Sequence, residues 1–526
     1  MTAPPEEMAF LMGLGWLDLV LIVLYLAGIT LFGLRFRKAH RTLRDYFLAD
    51  RNVPWWAISL SIVAAETSTL TIISIPGLAY DSNFGFLQVV VGYLVARMVI
   101  CLIFVPHYFR GDLYTAYQLI DRRFGPRLRS LTAGLFLVTR AAAEGVRVFA
   151  VSIVVSIALG PLLAGLSTFQ RDLAAISIVT VLTLIYTFEG GMTAVIWTDV
   201  VQMIIYVGGT LVGVITVLHL LPGEWSAAHA IASSAGKFKV FDFSVDITKT
   251  YTFWAGIIGG TFLTTASHGT DQLMVQRLLA AKNERQSKLA LLSSGVAILF
   301  QFSLFLLVGA LLFVFYKLMP PATPFARADQ IFPTFIVQEM PVGIRGLLIA
   351  AILAAAMSNL SAALNSLSST SIIDFYMRVK PDLSDARRMF LSRAATIVWG
   401  IVLFVLAMLS RHGGRVVEVG LSIASVAYGA LLGVFLLGVL TKRATETGAM
   451  IGMACGFITD IYLWQFPLPG WLLRGLEQLL GHPAAGTKIA WTWYVLVGTA
   501  VTYLVGYIAS LGTPQPLSAR GKETHA

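Results

Sequence analysis

The sequence predicts an all-α polytopic membrane protein with about thirteen transmembrane helices, forming a single transmembrane domain over residues 1–526. Three observations lead there. Hydrophobic residues make up 57% of the chain and charged residues only 13%, whereas a soluble domain carries about a quarter charged. Apolar runs of about twenty residues, the length that crosses a bilayer as a helix, recur throughout. Basic residues also alternate in abundance between successive connections, as the orientation of such helices requires.

The runs fall near 13–33, 54–79, 86–106, 131–159, 172–188, 193–220, 251–271, 289–316, 342–372, 394–410, 416–440, 447–466 and 489–511. Of the 38 Lys and Arg, 24 lie in the connections of one side and ten in those of the other. The remaining four, Arg97, Arg140, Arg147 and Arg345, lie within spans or at their ends. This bias places the N-terminus outside and the tail 512–526 in the cytoplasm, in a plasma (inner) membrane. The net charge of +10 is therefore mainly topological, with basic loops facing anionic lipid, and it gives no reason to invoke nucleic acid. No cleavable signal peptide is read, because the first apolar run is long enough to span and a basic loop follows it. Cys101 and Cys455 both sit in apolar runs and support neither a disulfide framework nor a thiolate metal centre.

Spans 2 to 6 (54–220) and 7 to 11 (251–440) form two groups of five. Five is odd, so the second group enters the membrane from the opposite side, the arithmetic of an inverted repeat. Span 1 (13–33) precedes the groups and two further helices (447–511) follow them. The first span of each group is expected to be interrupted. Span 2 contains SIVAAETSTLTIISIPG, with Glu66, a run of hydroxyls and Pro76; span 7 contains GIIGGTFLTTASHGTDQ, with paired glycines and His268. Such residues weaken a helix, and the backbone groups they expose can bind ions and solute.

Span 9 is uncharged after Arg345, yet carries Ser358, Ser361, Asn365 and Ser368 at steps of three, four and three. They share one helix face. Neutral oxygens gathered where water is excluded suit a desolvated small cation; the alternative is hydroxyl glue between helices. In span 4, RAAAEGVR sets Arg140, Glu144 and Arg147 on one face. Either Glu144 neutralises one arginine and locks packing, or the uncompensated arginine offers its planar fork to a solute carboxylate or to solute hydroxyls. Glu66 can sense protons, repel anions or bind a cationic group, or only accept hydrogen bonds from unwound backbone. Thr264, Ser267 and His268 near the break of span 7, and Phe86 at the start of span 3, are solute-contact candidates, with ordinary packing the plainer reading for His268 and Phe86.

Several segments resemble the sodium:solute symporter family: RNVPWWAISLSIVAAETS, IPGLAY, YTFEGGMTAVIWTDVVQ, DQLMVQRLLAAK, AAILAAAMSNLSAALNS and YGALLGVFLLGVLTKRAT, in the family's order over 51–445. The sialic acid branch is the nearest in 51–80. The resemblance implies a LeuT-type core of ten helices, spans 2 to 11. It implies a sodium ion between spans 2 and 9, held by the carbonyls of Ala64, Thr67 and Ala355 and the side chains of Ser358 and Asn359. Asn359 stands where a serine or threonine is usual, and its NH2 needs a partner. A second sodium set would comprise Asp199, Ser358 and Ser361, with Ala362 lacking the next hydroxyl; Asp199 alternatively pairs with a basic loop or caps a helix. The resemblance also marks an arginine of span 4 as a carboxylate ligand, with Arg140 the better match and Arg147 the alternative.

The function expected is sodium-coupled import of a small organic solute by alternating access, the solute being a carboxylate such as a sialic or monocarboxylic acid, or a sugar. Sodium is the coupling ion and no cofactor is called for. Proton coupling is the alternative. A membrane-embedded enzyme using His268, Asp271 and Glu144 finds no HExxH, G-x-S-x-G or P-loop in support, and a transporter-like sensor would need an output domain, which the tail 512–526 does not offer unless a separate partner supplies it.

Overall fold

The computed structural model describes residues 14–35, 49–110, 116–163, 165–186, 192–321, 323–376, 380, 385–411, 415–464 and 489–513. The principal helices are α1 (Trp16–Arg35), α2 (Trp55–Glu66), α3 (Thr69–Asp81), α4 (Leu87–Phe109), α5 (Pro126–Ala158), α6 (Thr168–Tyr186) and α7 (Met192–Leu220). They continue as α8 (Gly260–Gly269), α9 (Gln272–Leu279), α10 (Glu284–Leu318), α11 (Ile331–Glu339), α12 (Ile344–Thr370), α13 (Asp385–Ser410), α14 (Val416–Leu440), α15 (Glu446–Leu463) and α16 (Tyr494–Leu511). Each of the thirteen predicted runs overlaps a helix, and 54–79 overlaps two, α2 and α3. By length and apolarity alone, eight helices among the described residues can cross a membrane, or nine when α2 and α3 are counted as one bent span. Of the others, α1 contributes a shorter apolar stretch, α8 is only ten residues long, α6 opens on Arg171 and Asp172, and α15 carries Glu446 and Asp460.

The chain divides into two compact units. The first holds residues 1–87, 137–240 and 277–420, the second 88–136, 241–276 and 421–526. In the first unit, α2 packs on α7 and α10, α3 on α10, and α12 on α1, α6, α7 and α13. A β-carbon on Gly309 of α10 would strike the Pro76 carbonyl of α3, so the two backbones meet directly. In the second unit, Gly92 of α4 meets the Gly256 carbonyl and Gly260 in the same manner, and α15 lies along α16.

The sequence also sets the helix ends. Gly343 precedes α12 with φ +87°, a conformation that disfavours other residues. The buried carboxylate of Asp18 on α1 accepts from the Gly343 and Gly346 N–H groups at 2.6 and 3.3 Å and pairs with Arg345 Nε at 2.6 Å. It thus satisfies the positive end of α12 and joins α12 to α1. Pro126 opens α5, where its missing N–H is harmless. Asn283 and Thr445 accept from Gln286 and Gly448 N–H groups and cap α10 and α15.

Candidate functional site

The expected interruption of span 2 is present, a bend of 64° between α2 and α3. Thr67 ends α2 at φ −89°, ψ 78°, outside helical geometry, and its N–H donates to the Val63 carbonyl at 2.8 Å. The next donors do not continue the ladder: Thr71 and Ile72 N–H groups turn to the Ser68 carbonyl at 2.9 and 3.2 Å, and Thr71 Oγ1 donates to the Glu66 carbonyl at 3.3 Å. The carbonyls of Ala64 and Thr67 are thereby left without a helical donor. Thr69 Oγ1 donates to the Ile352 carbonyl at 3.3 Å, which fastens the break to α12 three residues before Ala355.

On α12, Ala355 and Ser361 are buried, while Ser358 and Asn359 are half-buried. The four-residue hydroxyl face of the sequence does not act as one cluster. Asn365 is exposed, and Ser368 donates to the Ser392 carbonyl of α13 at 2.6 Å, which is helix-to-helix glue. Ser358 and Ser361, the other members of the face, lie six and nine positions beyond Ile352, where the break is fastened to α12. Among the described residues no group of three His, Cys, Asp or Glu is assembled.

The charged stripe of α5 is realised with a twist that spacing does not reveal. Arg140 Nη2 and Arg147 Nη1 both bind the same oxygen, Glu144 Oε1, at 2.9 and 2.6 Å. Glu144 is fully buried and its Oε2 accepts nothing. Two guanidinium groups thus share one carboxylate, and the trio keeps one net positive charge. The Arg147 side chain is 28% exposed and that of Arg140 9%. A tight approach of Gly145 to Leu406 sets this part of α5 against α13.

Asp199 on α7 forms a closed ring with Arg277 Nη2 at 2.9 Å and Ser61 Oγ at 2.6 Å, and Arg277 Nε donates to Ser61 at 2.9 Å. All three are buried. The carboxylate is therefore engaged by a cation of the chain itself, as in the loop-pairing alternative. Glu66 is half-buried at the end of α2. Phe86 is 1% exposed and stacks on Phe302 with centroids 5.2 Å apart, a packing role in this arrangement.

In the second unit, span 7 is interrupted later than its paired glycines suggest. Residues Ala255–Gly259 form a π-helical turn that runs straight into α8, because Gly256 and Gly260 are needed for contact with α4; the chain breaks instead at Thr270 and Asp271. Thr264 and His268 are buried, and Ser267 Oγ bonds His268 Nδ1 at 2.8 Å and lies 3.4 Å from the Thr264 carbonyl.

The family model described as the sodium:solute symporter family matches residues 46–456, most of the chain. The chain belongs to the sodium:solute symporter family. Its function is sodium-coupled solute import across a membrane. It is 30% identical to the sodium/sialic acid symporter SiaT of Proteus mirabilis, covering 84% of this chain and 88% of that protein. It is 26% identical to the sodium/sialic acid symporter NanT of Aliivibrio fischeri, over 94% of this chain and 93% of the other. It is also 26% identical to the human sodium/iodide cotransporter, over 84% of this chain and 68% of that one. Among solved structures, a Na+-coupled sialic acid symporter in a substrate-bound outward-open state superposes with a TM-score of 0.78 at 27% identity, covering 95% of this chain and 98% of that one. A nucleobase-cation-symport-1 family transporter shares the fold alone, with a TM-score of 0.55 at 12% identity over 91% and 98% of the two chains.

For a member of this family, two features of the site went unread in the sequence. Arg277 lies 78 positions from Asp199, and its only signal was a lone arginine within the apolar DQLMVQRLL. Asp18, at the start of span 1, carried the signal of an acid in an otherwise apolar run.

Proposed function

We propose that this symporter imports a small organic carboxylate, with one sodium ion bound by the carbonyls of Ala64, Thr67 and Ala355 and the side chains of Ser358 and Asn359. The sharing of Glu144 Oε1 by Arg140 and Arg147 carries the choice of solute class. A net positive charge inside a span is stabilised by an anionic ligand, and the guanidinium fork matches a carboxylate. The sialic acid symporters among its relatives favour the same class. The greater exposure of Arg147 makes it the first arginine to test.

Sodium binding at the break stabilises the arrangement that accepts solute, and the coupling is reciprocal. A potential of 100 mV adds about 2.3 kcal/mol per inward charge, so one sodium supports roughly fiftyfold accumulation from voltage alone. A second sodium at Asp199, Ser358 and Ser361 requires Arg277 to release Asp199, so we assign one ion. Spans 54–220 and 251–440 are the two inverted repeats, with the N-terminus outside and the C-terminus cytoplasmic. Thr264, Ser267 and His268 are the candidate solute contacts of the second unit.

The test is thermal stabilisation of purified protein by a panel of carboxylates, sugars and amino acids, each in sodium or potassium at equal ionic strength. A shift requiring sodium together with a carboxylate, reduced in Arg147→Gln or Arg140→Gln, is expected. A solute shift indifferent to sodium moves the coupling to protons at Glu66, and a shift with sugars alone removes the carboxylate assignment.

A further inference from the structure

Among the described residues, the buried carboxylates Asp18, Glu144, Asp199, Asp271 and Asp329 each accept a hydrogen bond or an ion pair. Asp460 on α15 does neither. It is fully buried, and although the Gly498 N–H of α16 faces it, neither Oδ1 nor Oδ2 accepts a hydrogen bond of ordinary geometry.

Its position follows from a ladder of small residues. α15 presents Gly448, Gly452, Gly456 and Asp460 at steps of four, and antiparallel α16 answers with Ser510, Gly506, Thr502 and Gly498. A β-carbon on Gly448 would strike Ser510, one on Gly452 would strike Gly506 and the Thr502 carbonyl, and one on Gly456 would strike Thr502. The helices therefore meet backbone to backbone. Asp460 occupies the fourth rung, where Oδ2 lies against Gly498, and Gly429 of α14 closes on the same oxygen from a third helix.

The surroundings supply no counter-charge. α14, α15 and α16 contain no Lys, Arg or His. Their other acids are engaged elsewhere: Glu418 with Arg415, and Glu446 with the Arg127 and Leu128 N–H groups. The phenol of Tyr494 donates to the Ile489 carbonyl and that of Tyr428 to Asp271. Cys455, Tyr462, Tyr503 and Tyr507 complete the titratable groups of these helices. His268, on α8 packed against α16, bonds Ser267. An ionised carboxylate without partners in such a setting is strongly disfavoured, and the glycine contacts leave no room beside Oδ2 for a metal ion or a water. A proton fits at this crowded oxygen where an ion or a water does not.

We propose that Asp460 is a proton-binding site separate from the sodium site: its carboxyl is protonated while α14, α15 and α16 are packed together, and ionising it opens their junction. The packed state then binds a proton that the unfolded chain, with an aspartate pKa of about 3.9, releases. Stability accordingly falls as pH rises above that value, by up to about tenfold in the unfolding equilibrium per pH unit.

Infrared difference spectroscopy of the full-length protein at neutral pH, wild type against Asp460→Asn, tests the protonation state directly. A protonated-carboxyl C=O band that disappears in the variant is expected; loss of a carboxylate band instead overturns the proposal. Thermal unfolding from pH 5 to pH 9 tests the consequence, with Asp460→Gly, which continues the glycine spacing, as a second variant should Asn pack poorly. The stability of either variant relative to wild type should climb with pH. A difference constant across pH in both variants overturns the proposal.

Discussion

The two interrupted spans are built from similar sequence, hydroxyls with glycine or proline and one ionisable residue, yet they end differently. At the break after Glu66, the carbonyls of Ala64 and Thr67 are left without helical donors, and Thr69 fastens the break to the Ile352 carbonyl of α12. At the break after Gly269, the loose ends are tied off. Asp271 Oδ1 accepts from the Leu273 N–H at 2.9 Å, Tyr428 donates to Oδ2 at 3.2 Å, Thr270 Oγ1 donates to the Ala266 carbonyl at 2.7 Å, and the Gly269 carbonyl accepts from Tyr108. An interrupted helix is therefore not in itself an ion site. The first break leaves backbone carbonyls without helical donors, whereas the second spends its polar groups on holding its own geometry.

Substitutions can break this comparison at several strengths. The largest effect is expected from Gly309→Ala, whose β-carbon meets the Pro76 carbonyl just beyond the first break. Overpacking of a backbone contact should remove about 3 kcal/mol, seen as a large fall in thermal midpoint and in folded yield. Next, Ser358→Ala should raise the sodium concentration for half-maximal uptake at least about tenfold, roughly 1.4 kcal/mol, with little change in the thermal midpoint measured without sodium. Asp271→Ala should do the reverse. Losing a cap at the second break removes about 1 kcal/mol of stability and leaves the sodium requirement within about twofold. Asn359→Ser is the finest probe, since both residues offer an oxygen; a change in sodium requirement of less than about threefold is expected, and abolition of sodium dependence would place Asn359 outside the ion shell.

Local chemistry was legible in the sequence; long-range partnership was not. The break at Glu66, the sharing of one face by Arg140, Glu144 and Arg147, and the thirteen helical runs all follow from composition and spacing over short stretches. The displacement of the second break to Thr270 required knowing that Gly256 and Gly260 serve a contact with α4. The convergence of both arginines on one oxygen depends on rotamers, which spacing leaves open. Arg277 and Asp199 meet across 78 residues, and Asp460 becomes conspicuous only when three helices close around it. Its four-residue ladder was nonetheless printed in the sequence as Gly448, Gly452, Gly456 and Asp460, and a polar residue on a small-residue stripe is the signal that could have found it.

The most direct test of the central claim is solute uptake into proteoliposomes under an imposed inward sodium gradient, compared with potassium at the same potential, for wild type and Ser358→Ala. The account predicts that wild-type uptake of a carboxylate depends on sodium and that the variant regains it only at much higher sodium. Equal uptake in potassium, or a variant with unchanged sodium dependence, would contradict the assignment of the coupling ion to the first break.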